Sequence, residues 1–275
     1  MMQSIEEFSG ITSSKIRWEP YLEKMILEEI EALSNLRDIC FPYRISGTFT
    51  ANIPKSQSTG KAVEAVEATE IPAVRQVIST ADVKVVANAT AIEFSDEAEI
   101  VDLYGDLMER ELKEAAKRMV RKENEDIINT LIAGAGSQTN GLYTQITYED
   151  ITYAKAYLRK QGINPDTVLV GPDEYAQLLN DVRVLTLSDT NEQAYNEGRL
   201  NARIAGMRLV EVPEMPPKTV IVMDTSVNPL WLVLLDDMKV EAFRDYDRRT
   251  KKVQMIAYEK PAVLRPEAIR KIILQ

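Results

Sequence analysis

Residues 95–133 read as one helix of almost 40 residues, and a compact domain of this chain's size does not hold such a rod in its interior. Val101, Tyr104, Met108, Leu112, Ala115 and Met119 recur at steps of three and four, which lines them up on one face. Val120, Ile127 and Leu131 continue on an adjoining line. Ser95 suits the N-cap, and Asp96, Glu97 and Glu99 suit the positive end of the helix dipole. Ala98 stands where a capping box would need Glu or Gln. Gly134 supplies the stop. At ~1.5 Å per residue the helix is roughly 55–60 Å long, so it is expected to act as a spine with the rest of the chain built along it. Its charge is divided. Seven acids lie between Asp96 and Glu111, then Lys113, Lys117, Arg118, Arg121 and Lys122 follow with only Glu114 among them. A solvated face explains this; a basic face beside phosphate or an acidic neighbour is the alternative.

The segments before the spine have little core of their own. Residues 19–36 read as an amphipathic helix, with Trp18, Tyr21, Leu22, Met25, Ile26, Ile30 and Leu33 on one stripe. Pro20 fits the first helical turn, where its missing N–H costs nothing. The stripe has two possible destinations, the chain's own core or a neighbouring subunit, and the second makes Trp18, Tyr21 and Met25 contact candidates. Residues 45–78 read as a long hairpin: an extended run over 46–54, a small-residue polar tip over 55–61, glutamates at 64, 67 and 70, and a returning strand over 74–78. An isolated two-stranded hairpin is marginal in water, so it is either mobile or held by another chain. Lys55 and Lys61 are its contact candidates.

After the spine, the glycines at 134, 136 and 141 predict a flexible junction and a subdomain boundary. It is not a phosphate loop, because it lacks the Gly-Lys-Ser/Thr ending and follows a helix. A helix is expected over 148–161, a buried strand over 167–171, and a short helix from Pro172 to residue 179. Strands follow over 207–212, 219–223 and 230–235. A further hairpin takes 239–243 and 253–258, and a turn with a last strand takes 266–274. The tip of that hairpin, 244–252, carries five bases against Asp245 and Asp247. Arg244, Arg248 and Arg249 are therefore candidates for pairing with carboxylates of a neighbouring subunit, the acid-rich start of the spine being the expected source.

Composition narrows the chemistry. The 275 residues include no histidine, which removes imidazole bases, His-dependent nucleophiles and His metal sites. Cys40 is the lone cysteine, so no internal disulfide or thiolate metal cluster is available. A net charge of −10 argues against a broadly basic nucleic-acid-binding surface. The start of the chain has no basic n-region or apolar h-region, and the longest apolar run, 229–235, is far below the ~20 residues of a membrane span. A soluble, cytosolic chain is expected, with no membrane partner. Asp236-Asp237 and Asp245/Asp247 are the closest acid clusters, and turn chemistry explains them better than a calcium loop. No catalytic, cofactor-binding or metal-binding residue is predicted. Partner-seeking elements without a catalytic motif point to an assembly protein, with a carboxylate-dependent enzyme such as a glycosidase as the remote alternative.

The order of these elements resembles the major capsid proteins of tailed viruses, the Hong Kong 97-type fold. The resemblance covers nearly the whole chain. Local phrases agree: Ile92-Glu93-Phe94-Ser95-Asp96-Glu97 at the spine entry, Glu123-Asn124-Glu125-Asp126 with 134–142 at its exit, Val168-Leu169-Val170-Gly171-Pro172-Asp173-Glu174-Tyr175, Ile204-Ala205-Gly206-Met207-Arg208-Leu209-Val210, and 260–269 near the end. The resemblance implies an α+β fold with an N-terminal arm (1–44), an extended loop (45–78), a peripheral domain (79–140 and 236–258, with the spine helix at 95–133) and an axial domain (141–235 and 259–275). It implies a structural, non-enzymatic subunit of an icosahedral shell that forms hexamers and pentamers, encloses double-stranded DNA without sequence-specific binding, and resides in the virion capsid after assembly in the host cytoplasm. Encapsulins, shells of the same fold that store a cargo enzyme, are the near alternative. Some relatives crosslink a loop lysine to a neighbour's asparagine. Lys55 and Lys61 match such lysines in position, but the charged tip offers Asp245 and Asp247 and no asparagine, so no crosslink is expected. Met1 reads as a true start with no room for a scaffolding segment before Trp18, which implies a separate scaffolding protein besides a portal and decoration proteins.

Overall fold

The computed structural model describes residues 36–57, 77–95, 107–141, 143–181, 203–245 and 248–275. In chain order the elements are β1 (Phe41–Arg44), β2 (Thr50–Gln57), β3 (Val77–Lys84), β4 (Val86–Ser95), α1 (Leu107–Gly134), β5 (Ser137–Asn140), α2 (Tyr148–Lys160), β6 (Thr167–Val170), α3 (Pro172–Leu179), β7 (Arg203–Ile204), β8 (Met207–Glu211), β9 (Thr219–Met223), β10 (Leu230–Asp245), β11 (Thr250–Val263) and β12 (Ile269–Ile273). The fold is α+β, as expected. A four-stranded sheet has the order β1-β10-β11-β4, a six-stranded sheet the order β5-β12-β9-β6-β8-β7, and β2 pairs with β3 alone.

Period-two alternation gives the six-stranded sheet two apolar faces. In β9, Val220 and Val222 join α2 and α3 on one side, where Ile151, Ala154, Leu158 and Leu178 are buried. Ile221 and Met223 point the other way, toward Ile127, Ile128 and Leu131 of α1. α2 starts with a capping box: Thr147 accepts from the Asp150 N–H while the Asp150 carboxylate accepts from the Thr147 N–H at 3.1 Å. α3 opens on Pro172, where no N–H is needed.

The apolar line of α1 divides along its length. Leu112, Ala115, Ala116, Met119 and Val120 pack on Ile92, Phe94, Val240, Val253, Met255 and Ala257 of the four-stranded sheet. Ile127, Ile128 and Leu131 belong to the central core with Leu230, Leu232 and Leu234 of β10. One helix thus fastens both sheets. Residues 96–106, the expected first turns of the spine, lie outside the described residues, and Ser95 closes β4 opposite Thr250.

Three local expectations change. Residues 230–235 and 239–243 form one strand, β10, instead of two. Register shifts between Leu234 and Met238 accommodate the extra residues as a bulge, so Asp236-Asp237 sit within a strand, not at a turn. The return arm of the first hairpin continues past Ile78 to Lys84. Ala51, Ile53, Val83 and Val85 turn inward on Val233, giving the hairpin base a small core that a reading of its tip does not reveal. The glycine-rich stretch is not a flexible junction. Residues 137–140 are β5, parallel to β12. Gly136 donates its N–H to the Pro266 carbonyl at 2.9 Å, and a Cβ there would sit 2.3 Å from that oxygen. Close approach, not freedom, requires this glycine.

Candidate assembly surfaces

The charged tip joins β10 to β11. Arg244 stands opposite Lys251 and Asp245 opposite Thr250. The Arg248 N–H donates to Asp245 Oδ1 at 3.2 Å, and its guanidinium lies 3.9 Å from Oδ2, so one of the two acids is committed to forming the turn. Arg249 completes it with a left-handed φ of 51°. Arg244, Arg248 and Arg249 are all exposed, and the Arg248 side chain is 76% exposed. The fold therefore gathers these three candidates at one end of the molecule. Lys252 adds its ammonium 5.6 Å above the half-exposed Phe243 ring. The Thr250–Ser95 pairing also sets the end of β4 beside the tip.

Lys55 lies on β2 opposite Ser79, and its Nζ donates to the Val263 carbonyl at 3.5 Å, tying the base of the hairpin to β11. Trp18, Tyr21, Met25 and Lys61 lie outside the described residues.

Two features escape the sequence reading. The first is an aromatic cluster on the face of the four-stranded sheet that packs with the β2–β3 base. Parallel pairing of β1 with β10 sets Phe41 opposite Trp231, with ring centres 4.9 Å apart, and Tyr43 5.2 Å from the same indole. Phe49, 55% exposed, meets Tyr258 edge-on at 5.9 Å. The clustered aromatics at 41, 43 and 49 were the available signal.

The second is a buried ionic tie. Arg37 Nε donates to Glu123 Oε1 at 2.6 Å, and the same guanidinium lies 3.6 Å from Glu259 Oε2. Asn88 donates to Glu259 Oε1 at 3.3 Å and to Asp126 Oδ2 at 3.5 Å, while Lys122 pairs with Asp126 at 2.6 Å. Burial, and secondly the neighbouring Glu123 charge, push Glu259 up to about 7. Burial raises the Cys40 thiol well above its usual range, so it is a packed side chain and not a reactive one. The tie joins the N-terminal segment, α1, β4 and β11. No local pattern announces it, because its members are more than 130 residues apart in places. Among the described residues, no group of three or more His, Cys, Asp or Glu side chains is arranged to hold a metal ion.

A family model described as phage capsid protein matches residues 78–272. The chain belongs to the phage capsid protein family. Solved capsid structures share its fold. The capsid of the cyanophage P-SCSP1u superposes with a TM-score of 0.70 at 14% identity, covering 88% of each chain. A virus-like particle from Pyrococcus furiosus gives 0.66 at 14% identity, covering 93% of this chain and 99% of that one. The SrpI encapsulin of Synechococcus elongatus gives 0.63 at 10% identity and 86% coverage of both. No curated protein sequence matches. The capsid protein is thus a structural protein of Hong Kong 97-type fold, a major capsid protein whose partner is its own kind in the virion shell. The encapsulin likeness fits the alternative reading, but no better than the phage capsids do.

Proposed function

We propose that this capsid protein tiles as hexamers and pentamers into an icosahedral shell around double-stranded DNA, and that its role is mechanical, without enzymatic activity. The observation that carries the reading is the pair of hairpins, β2–β3 and β10–β11. Among the described residues, β2–β3 has a small core at its base, and the far end of β10–β11 presents arginines to solvent. Such ends gain their apolar and ionic partners from neighbours, so stability belongs largely to the lattice. Residues 45–78 serve as the extended loop, 79–140 with 236–258 as the peripheral domain, and 141–235 with 259–275 as the axial domain. Arg244, Arg248 and Arg249 meet neighbouring peripheral domains, and Lys55 and Lys61 border the loop contact without forming a covalent crosslink. The net charge of −10 suits a wall that holds DNA without adhering to it. A separate scaffolding protein, a portal and decoration proteins complete an assembly that takes place in the host cytoplasm.

Sedimentation and negative-stain microscopy of the purified 31.0 kDa chain test this reading. Capsomers or closed shells are expected at micromolar concentration. A compact monomer that never assembles, across salt conditions and with a scaffold supplied, overturns it.

A further inference from the structure

The charges of the buried tie do not balance. Glu123, Asp126 and Glu259 supply three carboxylates, whereas Arg37 and Lys122 supply two bases. Fully ionised, the set carries one uncompensated negative charge, and Glu123 and Glu259 are both buried. A buried unpaired charge is costly, and taking up one proton removes it. The geometry says which carboxylate takes the proton. Glu123 accepts directly from Arg37 at 2.6 Å, and Asp126 is held at 2.6 Å by the exposed Lys122. Glu259 has the weakest set of partners: the guanidinium at 3.6 Å and one amide hydrogen bond, from Asn88 to Oε1. Its Oε2 is buried with no hydrogen-bond partner among the described residues, so the proton belongs there. Arg37 and the Cys40 thiol face it from the N-terminal segment, Glu123 and Asp126 from α1, and Asn88 from β4.

We propose that Arg37, Glu123 and Glu259 form a proton-operated latch on residues 36–45, closed while Glu259 holds its proton and loosened when that proton passes to solvent. With the proton in place, Arg37 answers one carboxylate, Glu123. Without it, two buried carboxylates compete for one guanidinium, and opening the segment rehydrates all three groups. Besides Arg37, the segment is held by the buried Leu36, Ile39 and Cys40 and by β1, an edge strand paired with β10 over four residues. The Ile45 N–H closes its far end on the Leu234 carbonyl at 2.8 Å. Opening therefore bares the β10 edge from Trp231 to Leu234, a row of backbone groups that a strand of another chain can join. Burial, and secondly the Glu123 charge, set the working range by raising Glu259 from 4.5 to about 7. Within that range the closed segment holds a proton that the open one has released, so rising pH favours opening.

Hydrogen exchange with mass-spectrometric readout on the full-length, unassembled protein tests the proposal, with rates corrected for the intrinsic pH dependence of amide exchange. Protection of peptides covering 37–45 should fall about thirtyfold between about pH 5.5 and about pH 8. At the higher pH it should lie well below that of residues 127–131 in the central core. Glu259→Gln keeps the segment closed with no proton to lose, so its protection should hardly change with pH. Glu123→Gln gives Arg37 to Glu259 alone and should also flatten the dependence, which keeps the test open if the first variant folds poorly. Wild-type protection over 37–45 that does not change with pH overturns the proposal. So does a dependence as steep in both variants as in the wild type. Exchange of 37–45 in step with 127–131 at both pH values also overturns it, because the segment then leaves only when the whole protomer unfolds. These readings are made without shells, so they stand apart from the assembly test.

Discussion

Glu259 shows how one side chain's environment sets a property of the whole fold. It is buried against Glu123 and shares one guanidinium with it. In the unfolded chain its carboxyl titrates near the ordinary 4.5, whereas in the fold it titrates at about 7. Between those values the folded state holds a proton that the unfolded state has released. Stability from this group is therefore fully present below about 4.5, falls as pH rises toward 7, and is flat above. The difference corresponds to ~3 kcal/mol, from ~1.4 kcal/mol per pKa unit. Glu259→Gln keeps the hydrogen-bonding shape and leaves Arg37 paired with Glu123. It should raise the melting temperature at pH 8 and change little at pH 4.5. Calorimetry of both proteins across that range checks it, and parallel curves would remove Glu259 from the account.

At the scale of elements, the β10–β11 hairpin shows how sequence and fold divide the work. The excess of five bases over two acids between 244 and 252 was plain in the sequence. The structure adds that Asp245 holds the turn and that the arginines share one exposed end. Exposed charges contribute within about ±0.5 kcal/mol to folding. Reversing Arg248 and Arg249 to Glu should therefore leave thermal unfolding of the protomer nearly unchanged. An exposed ion pair is worth only ~0–1 kcal/mol, but the contact repeats around every symmetry axis. The double variant should need a higher protein concentration to assemble, which light scattering across a dilution series measures. Assembly at the wild-type threshold would show that the tip is a solvated hairpin end.

For the whole molecule, the issue is which parts fold alone and which need neighbours. Gln57 and Val77 are cross-strand partners at the last described rung of β2–β3. Joining them by a short turn in place of residues 58–76 keeps the paired rungs and the small core of Ala51, Ile53, Val83 and Val85 intact. Loop tips tolerate such changes, so the protomer should stay folded, with its melting temperature within ~2–4 °C of wild type. Shell formation should be lost, as electron microscopy would show. Normal shells from this variant would mean that the loop does not clamp its neighbour.

By itself, the sequence determined the elements whose causes are local. Helical periodicity marked α1 through its end. Pro172 opened α3, and alternation placed β9 at 219–223 with both faces apolar. The order of those elements was enough to resemble the capsid fold, because order survives when individual residues do not. Tertiary structure alone decided whatever depends on distant partners. Asp236-Asp237 look like a turn until β11 pairs Asp236 with Tyr258 and the register shifts on either side of it keep both in one bulged strand. Gly136 looks like a hinge until the Pro266 carbonyl arrives against it. The tie among Arg37, Asn88, Glu123 and Glu259 has no signature in any window, since packing of α1 between the N-terminal segment and β11 creates it. Short-range patterns report backbone preference and one-dimensional amphipathicity, whereas close approach and buried charge are properties of surfaces that meet only once the chain has folded.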